Sequence, residues 1–350
     1  MPVSVVVGGQ FGSEGKGKVA LDLALRERAA AVIRVGGSNS GHTAASKDGE
    51  LYSLRQIPAS ALAPDTLVIL PPGSIIDPDI LDAEVHKLSL DPNRLIVDPM
   101  ATVIGDVDIT KEKQGGLTEA IGSTGSGTGA ALQRRLSRLD SSGSVLAKDH
   151  RKLRPYLGST NTILRSLLDE GRRIIIEGTQ GFGLSVLHGG YYPHATSRDT
   201  IASSFVAEAG LSPLDVDSVC MVLRTYPIRV AGKSGPLKGE TSWGAVAKRA
   251  GLPADHHELT TATRNVRRIG AFDPELVRRA ISANMPTEIV LNHLDYIDVG
   301  VRDGQFSDRV LEFVAAVEKS IGRTIAWLGV SRTLLIPRST LNVPDFSAVA

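Results

Sequence analysis

The stretch Val3-Ser4-Val5-Val6-Val7-Gly8-Gly9-Gln10-Phe11-Gly12-Ser13-Glu14-Gly15-Lys16-Gly17-Lys18 decides the fold. A β-branched run at 3–7 reads as a buried strand, and the residues after Lys16 place apolar side chains at helical spacing. Between them lies a glycine-rich turn carrying two lysines. Glycines let backbone N–H groups approach phosphate oxygens, and a helix N-terminus adds a favourable partial charge. The spacing Gly12-x4-Gly17-Lys18 is that of a P-loop, but Val19 stands where Ser or Thr would meet a magnesium ion. A bare glycine turn is often only structural; the lysines favour phosphate binding.

Working outward, further β-branched runs at 31–35, 67–70, 94–97, 173–176, 218–223 and 288–291 alternate with helical candidates at 16–28, 79–88, 160–171, 274–284 and 309–322. That alternation predicts an α/β fold: one large domain over 1–350 with a central, mostly parallel sheet covered by helices. Glycine- and serine-rich stretches at 122–129 and 178–190 sit beside strands or helices, where ligand loops belong. The 350 residues are 42% hydrophobic, enough for a sizeable core, and a formal charge of +1 argues against nucleic-acid or membrane partners. Aromatic content of 4% argues against stacking on single strands. The single cysteine, Cys220, lies in an apolar run and reads as a buried core residue of a reducing cytoplasm. With no basic leader and no long apolar span, the chain reads as a soluble cytoplasmic protein, in the host's cytoplasm if it is viral.

Several ordered motifs share one resemblance. Gln10-Phe-Gly-Ser-Glu-Gly-Lys-Gly-Lys18 is similar to the opening signature of the adenylosuccinate synthetases, and Gly36-Gly-Ser-Asn-Ser-Gly-His-Thr43 to their next loop. Gly122-Ser-Thr-Gly-Ser-Gly-Thr-Gly129, Glu177-Gly-Thr-Gln-Gly181, His188-Gly-Gly-Tyr-Tyr-Pro-His-Ala-Thr-Ser197, Arg229-Val-Ala-Gly232, Arg267-Arg-Ile-Gly-Ala-Phe-Asp273 and Leu294-Asp295 follow in the family's order. The resemblance implies a ligase that phosphorylates the 6-oxygen of a purine monophosphate and then replaces it with the amine of aspartate.

It also implies residue roles. Lys16 and His42 stabilise charge on the transferring phosphoryl group; Ser13 and Gln180 complete the catalytic set, Gln180 facing the purine's reacting edge. Asn39, Ser123, Thr124 and Thr196, with Ser13 and Gln180, hold the acceptor nucleotide. The donor site takes Gly12, Glu14, Gly15, Lys16, Gly17, Lys18, Gly41, His42, Thr43, Asn292, Asp295 and Gly329, and magnesium meets the Gly41 carbonyl and Ser13. Thr263, Arg264 and Arg267 fall on the family's aspartate loop, although Arg264 stands where a glycine is expected and Asn265 where an arginine is expected. Arg138 corresponds to an arginine that reaches the neighbouring subunit's nucleotide, implying a homodimer; by itself it reads equally as part of a solvated helix face.

Two departures bear on the substrates. Members acting on inosine monophosphate carry an aspartate at the position of Ser13. A serine hydroxyl is no base near neutral pH, but it is shorter and leaves room for a substituent at purine C2, to be met by the hydroxyl or the backbone carbonyl. The change resembles the family's viral branch, which joins aspartate to dGMP on the route to diaminopurine DNA; the short chain agrees with that branch. The second departure is Asn292-His-Leu-Asp295, where most members read guanine with Thr-Lys-Leu-Asp. Without the lysine, ATP or dATP is the expected donor, although Asp295 also reads as a strand-end cap. The leading expectation is a dGMP:aspartate ligase. Two alternatives stay open: an inosine monophosphate ligase using GTP, and a non-catalytic nucleotide switch. No Gly-x-Gly-x-x-Gly fingerprint with a downstream acid supports a dehydrogenase.

Overall fold

The computed structural model describes residues 2–138, 146–260 and 264–341. Its frame is a nine-stranded sheet. The strands are β1 (Val3–Gly8), β2 (Ala31–Arg34), β3 (Leu67–Leu70), β4 (Leu95–Val97), β5 (Ile174–Glu177), β6 (Val216–Arg224), β7 (Glu288–Asn292), β8 (Trp327–Gly329) and β9 (Leu335–Pro337). Their spatial order is β9-β8-β7-β6-β1-β5-β2-β3-β4. Every pairing is parallel except that of β8 with β9. All residues of β1 and β5 are buried, as expected of central parallel strands covered on both faces.

The helices are α1 (Lys16–Arg26), α2 (Pro78–Leu88), α3 (Asp106–Gln114), α4 (Leu117–Ile121), α5 (Thr128–Ser137), α6 (Thr160–Asp169), α7 (Ala202–Ala209), α8 (Trp243–Ala250), α9 (Pro274–Asn284) and α10 (Asp308–Ile321). Local chemistry fixes several ends. Asp77 caps α2 by accepting the N–H groups of Asp79 (3.1 Å) and Ile80 (3.2 Å), with Pro78 pre-set at the first position. Asp273 and Pro274 start α9 in the same way. The helix expected over 16–28 stops at Arg26 because Arg28 takes a left-handed φ of 51° and the Ala29 N–H returns to the Ala24 carbonyl.

The chain leaves β1 through α1 for β2 on one side, whereas β5 leads through α7 to β6 on the other. β1 lies between β5 and β6, so connections diverge above its carboxyl end and open a crevice where ligands of such sheets bind. Small ribbons rim this crevice. The hairpin His42–Ala45 with Leu51–Leu54 carries His42, and Ile228–Arg229 paired with Arg268–Ile269 carries Arg229. At the sheet's margins, β9 ends in Pro337, and β4 is covered by a bridge from Val97 to Leu157 and by the Gly158 N–H, which donates to the Val97 carbonyl at 3.1 Å.

Candidate active site

The turn after β1 is folded around one buried carboxylate. Glu14 Oε1 accepts the N–H groups of Gln10 (3.2 Å) and Gly12 (2.7 Å), while Oε2 accepts Lys16 Nζ at 2.8 Å. Lys16 Nζ also donates to the Gln180 carbonyl, tying this turn to the one after β5. Gly15 precedes α1 with a φ of 92°, a conformation glycine takes without steric cost. Ser13 adopts a φ of 57°, and its carbonyl accepts Arg224 Nη1 at 2.9 Å. The Ser13 carbonyl, one of the two groups expected to meet a C2 substituent, thus already accepts one hydrogen bond and keeps a second lone pair.

His42 is buried against Glu177, with Nδ1 donating to Oε1 at 2.5 Å. Arg34 Nη1 reaches the same oxygen at 3.2 Å, and Arg34 Nη2 donates to the Ser40 carbonyl at 3.1 Å. Glu177 is further anchored by the Ala59 N–H (3.1 Å), the Ser60 N–H (3.1 Å) and the Ser60 hydroxyl (3.0 Å). Burial, then the Arg34 charge, pushes the His42 ring down to about 3. Burial alone would raise the Glu177 carboxyl, but the His42 hydrogen bond and the His42 and Arg34 charges hold it at about 2. The site therefore holds a neutral, oriented imidazole on an ionised carboxylate.

This arrangement has a stability consequence. The unfolded ring takes up a proton near 6.5 and the folded ring only near 3. Across that window the unfolded chain binds more protons, so stability falls as pH drops through it. The depressed Glu177 carboxyl extends the loss from 4.5 towards about 2. The His42→Asn protein is expected to lose less melting temperature than the unsubstituted protein between about pH 7 and about pH 5. Equal losses in a melting series would refute this account.

A cleft of about 760 Å³ opens above these groups, a size suited to a nucleotide and a small co-substrate. Of the residues singled out in the sequence, Gly12, Ser13, Lys16, Gly41, His42 and Gln180 line it on the sheet side. Asn39, Ser123, Thr124 and Thr196 line it on the side of α5, and Arg267 at a further edge. Thr124 Oγ1 and Ser126 Oγ lie 3.0 Å apart in the turn before α5. The start of α5 is already occupied: Glu112 accepts the N–H groups of Gly127 (2.8 Å), Gly129 (2.6 Å) and Ala130 (3.2 Å).

Arg229 is a site residue to which the sequence reading gave no role, although its motif was recognised. It is buried over the Phe11 ring at 4.3 Å and donates through Nη2 to the His194 carbonyl at 2.8 Å. Its Nε and Nη1 have no hydrogen-bond partner among the described residues, and it lines the cleft. Burial pulls its guanidinium down to about 10, still charged at neutral pH. Its charge favours an anionic group of a ligand in the cleft.

The other expected donor-site residues lie outside the cleft, along the starts of α1 and the ends of β7 and β8. Asn292 Nδ2 donates to the Glu14 carbonyl at 2.7 Å and Lys18 Nζ to the Ser331 carbonyl at 2.9 Å. A methyl group at Gly329 would lie 1.8 Å from Asn292 Oδ1, so only glycine fits there. Burial brings Lys18 down to about 8. Gly17 packs beside His42, and Thr43 is exposed on the hairpin. Asp295 is buried and accepts Arg302 through Nε (3.0 Å) and Nη2 (2.6 Å). Arg264 is exposed at a φ of 58° and does not line the cleft. Arg138 is exposed at the end of α5, also away from the cleft. Thr263 lies outside the described residues.

For magnesium, no group of three His, Cys, Asp or Glu side chains among the described residues could hold an ion unaided. Gly41 and Ser13 offer hard oxygen atoms at the cleft. That set fits an ion carried chiefly by nucleotide phosphates, the usual mode for magnesium. No helix among the described residues is long and apolar enough to cross a membrane.

Lys16, His42 and the charged Arg229 guanidinium thus line one cleft. The model of the adenylosuccinate synthetase family matches residues 5–151 and 139–301. The adenylosuccinate synthetase of Methanocaldococcus jannaschii is 37% identical over 328 residues, covering 91% of each chain. That of Methanococcus vannielii is 36% identical over 333 residues, covering 92% of this chain and 94% of its own. The structure superposes on the succinoaminodeoxyadenylate synthetase of cyanophage S-2L, solved bound to dGMP and to dATP as an energy donor, with a TM-score of 0.81. Identity is 30%, over 99% of this chain and 96% of that one. Fully ligated adenylosuccinate synthetase from Plasmodium falciparum shares the fold at a TM-score of 0.82 and 20% identity, over 97% and 100% of the chains. The chain belongs to the adenylosuccinate synthetase family and is a carbon–nitrogen ligase of purine nucleotide biosynthesis.

Proposed function

We propose that this ligase joins L-aspartate to dGMP at purine C6, consuming ATP or dATP and giving 2-amino-2′-deoxy-N6-succinyl-adenylate, ADP or dADP, and phosphate. The observation that carries this reading is Ser13: the residue beside Lys16 and Gln180 at the cleft presents a short hydroxyl where a carboxylate would fill the space beside a C2 amino group. The cyanophage relative, solved with dGMP and dATP, supports the same choice.

In this mechanism the acceptor's 5′-phosphate lies among Asn39, Ser123, Thr124 and Thr196, with Gln180 reading the ring edge by its amide. Lys16 exchanges Glu14 for the donor's terminal phosphate, and His42, steered by Glu177, faces the oxygen that receives it. Magnesium, held by the nucleotide phosphates with Gly41 and Ser13, offsets phosphate charge when bound. The N1 proton passes to a donor phosphate oxygen or to water as the phosphoryl group leaves the donor and bonds to O6, making phosphate the later leaving group. Arg229 and Arg267 grip the aspartate carboxylates; the amine then attacks C6 and phosphate departs with the old oxygen. Asp295 is already paired through Oδ2 with Arg302, and the lysine of the usual guanine-reading run is replaced by His293, which favours an adenine donor. Arg138 completes a neighbouring subunit's acceptor site in a homodimer.

The test presents dGMP or inosine monophosphate with aspartate, magnesium and each triphosphate, and identifies the succinylated product by mass. Succinylation of inosine monophosphate alone would replace this reading with the ordinary synthetase, and nucleotide binding without aspartate-dependent phosphate release would replace it with a switch. Ser13→Asp is expected to lower kcat/KM for dGMP by about tenfold or more, since a buried carboxylate must crowd the C2 amino group or lose solvation. An unchanged preference would mean that the amino group is read elsewhere.

A further inference from the structure

Arg224, at the end of β6, is fully buried and lies outside the cleft, yet it touches two loops that line it. Its Nη1 donates to the Ser13 carbonyl at 2.9 Å, at the left-handed residue of the phosphate turn. Its Nη2 donates to Glu258 Oε1 at 2.6 Å, and Nη1 lies 3.4 Å from Oε2. Glu258 also accepts Tyr296 Oη at 2.7 Å; burial alone would raise its carboxyl, but the Arg224 and His293 charges and the hydrogen bonds from Arg224 and Tyr296 together hold it well below the usual range. Glu258 stands at the stem of the loop that ends in Arg267. Its carbonyl accepts the Arg267 N–H at 2.9 Å, and Arg267 Nε donates to the Leu259 carbonyl at 3.2 Å. Trp243 Nε1 closes the stem by donating to the Arg267 carbonyl at 2.7 Å.

One buried cation therefore joins the backbone at Ser13 to the stem that aims Arg267. Arg224 Nε has no hydrogen-bond partner among the described residues, but both Nη atoms are bonded, and breaking the pair with Glu258 would leave an uncompensated buried charge. We propose that Arg224 and Glu258 are positioning residues that couple nucleotide occupancy of the phosphate turn to the amino-acid grip of Arg267. A shift of the Ser13 carbonyl on phosphate binding pulls the guanidinium, and the guanidinium carries Glu258 and the stem with it. The phosphate turn thus prepares the second co-substrate's site, and by reciprocity the amino acid tightens nucleotide binding. This inference rests on the reading that the turn takes phosphate and the Arg267 loop takes aspartate.

The test uses the whole chain. The sequence has two tryptophans, so Trp327→Phe leaves Trp243 as the sole emitter, hydrogen-bonded to the Arg267 carbonyl. In that protein dGMP with a non-hydrolysable ATP analogue is expected to change Trp243 emission and to raise L-aspartate affinity about fivefold or more. In Glu258→Gln, which keeps the side chain's shape without its charge, and in Arg224→Lys, which keeps the charge without the second arm, each ligand still binds but the affinities become independent. Either variant with a single cooperative melt serves, and a merely structural pair would lower that melt without uncoupling the ligands. Coupling retained in both variants overturns the proposal, as does independent binding in the Trp327→Phe parent while the ligase reading stands. Failure of the parent to bind nucleotide and aspartate at all removes the ligase reading as well.

Discussion

The His42→Ala protein is expected to turn over at least about a thousandfold more slowly than the unsubstituted protein while its affinity for dGMP changes little. Nδ1 is held by a 2.5 Å hydrogen bond to Glu177, and Nε2, which lies 3.2 Å from Arg34 Nη1, is the nitrogen not committed to the carboxylate. An oriented donor that acts only while phosphoryl charge is moving contributes to the transition state and hardly to ground-state binding. Single-turnover phosphate release and calorimetric dGMP binding separate the two. Glu177→Gln should fall between, since the amide still accepts the Nδ1 proton but no longer supports a positive ring as donor phosphates arrive. A His42→Ala protein with unimpaired turnover would show that the phosphoryl group passes elsewhere.

Loss of Lys16 is expected to match it, with kcat/KM for the donor falling about a thousandfold in Lys16→Met. That variant also strips Glu14 of its buried partner, a change costing about 3–5 kcal/mol of stability. Lys16→Met combined with Glu14→Gln removes both charges. It should regain most of the melting temperature and none of the activity. Recovered activity in the double variant would mean that Lys16 acts only by neutralising Glu14.

The central frame was legible because parallel strands buried on both faces print themselves as unbroken β-branched runs. The strands at Leu67–Leu70 and Glu288–Asn292 fall within a residue of their expected limits. What escaped notice lacks such a stripe. Asp106–Gln114 is a helix of mostly polar residues that buries only Asp108 and Glu112, both as hydrogen-bond anchors for neighbouring elements. Trp327–Gly329 and Leu335–Pro337 are too short to announce themselves. The same contrast governs the site. Lys16, His42 and Gln180 sit in glycine-rich loops that can be recognised locally, whereas Glu177 lies 135 residues from His42 and Arg224 lies 211 from Ser13. A motif scan sees each residue but not the pair. The Asn292-His-Leu-Asp295 run signalled a changed donor site, yet only the fold brings Arg302 against Asp295.

The margins of the central sheet bear on how copies of this chain can associate. Proline at the end of the last strand offers no N–H, and that strand has only three residues. The opposite margin has its Val97 carbonyl engaged by Gly158. Neither border presents the long unpaired ladder that recruits a foreign strand. A second copy of this chain would therefore meet it through side chains on helices and loops rather than by extending the sheet.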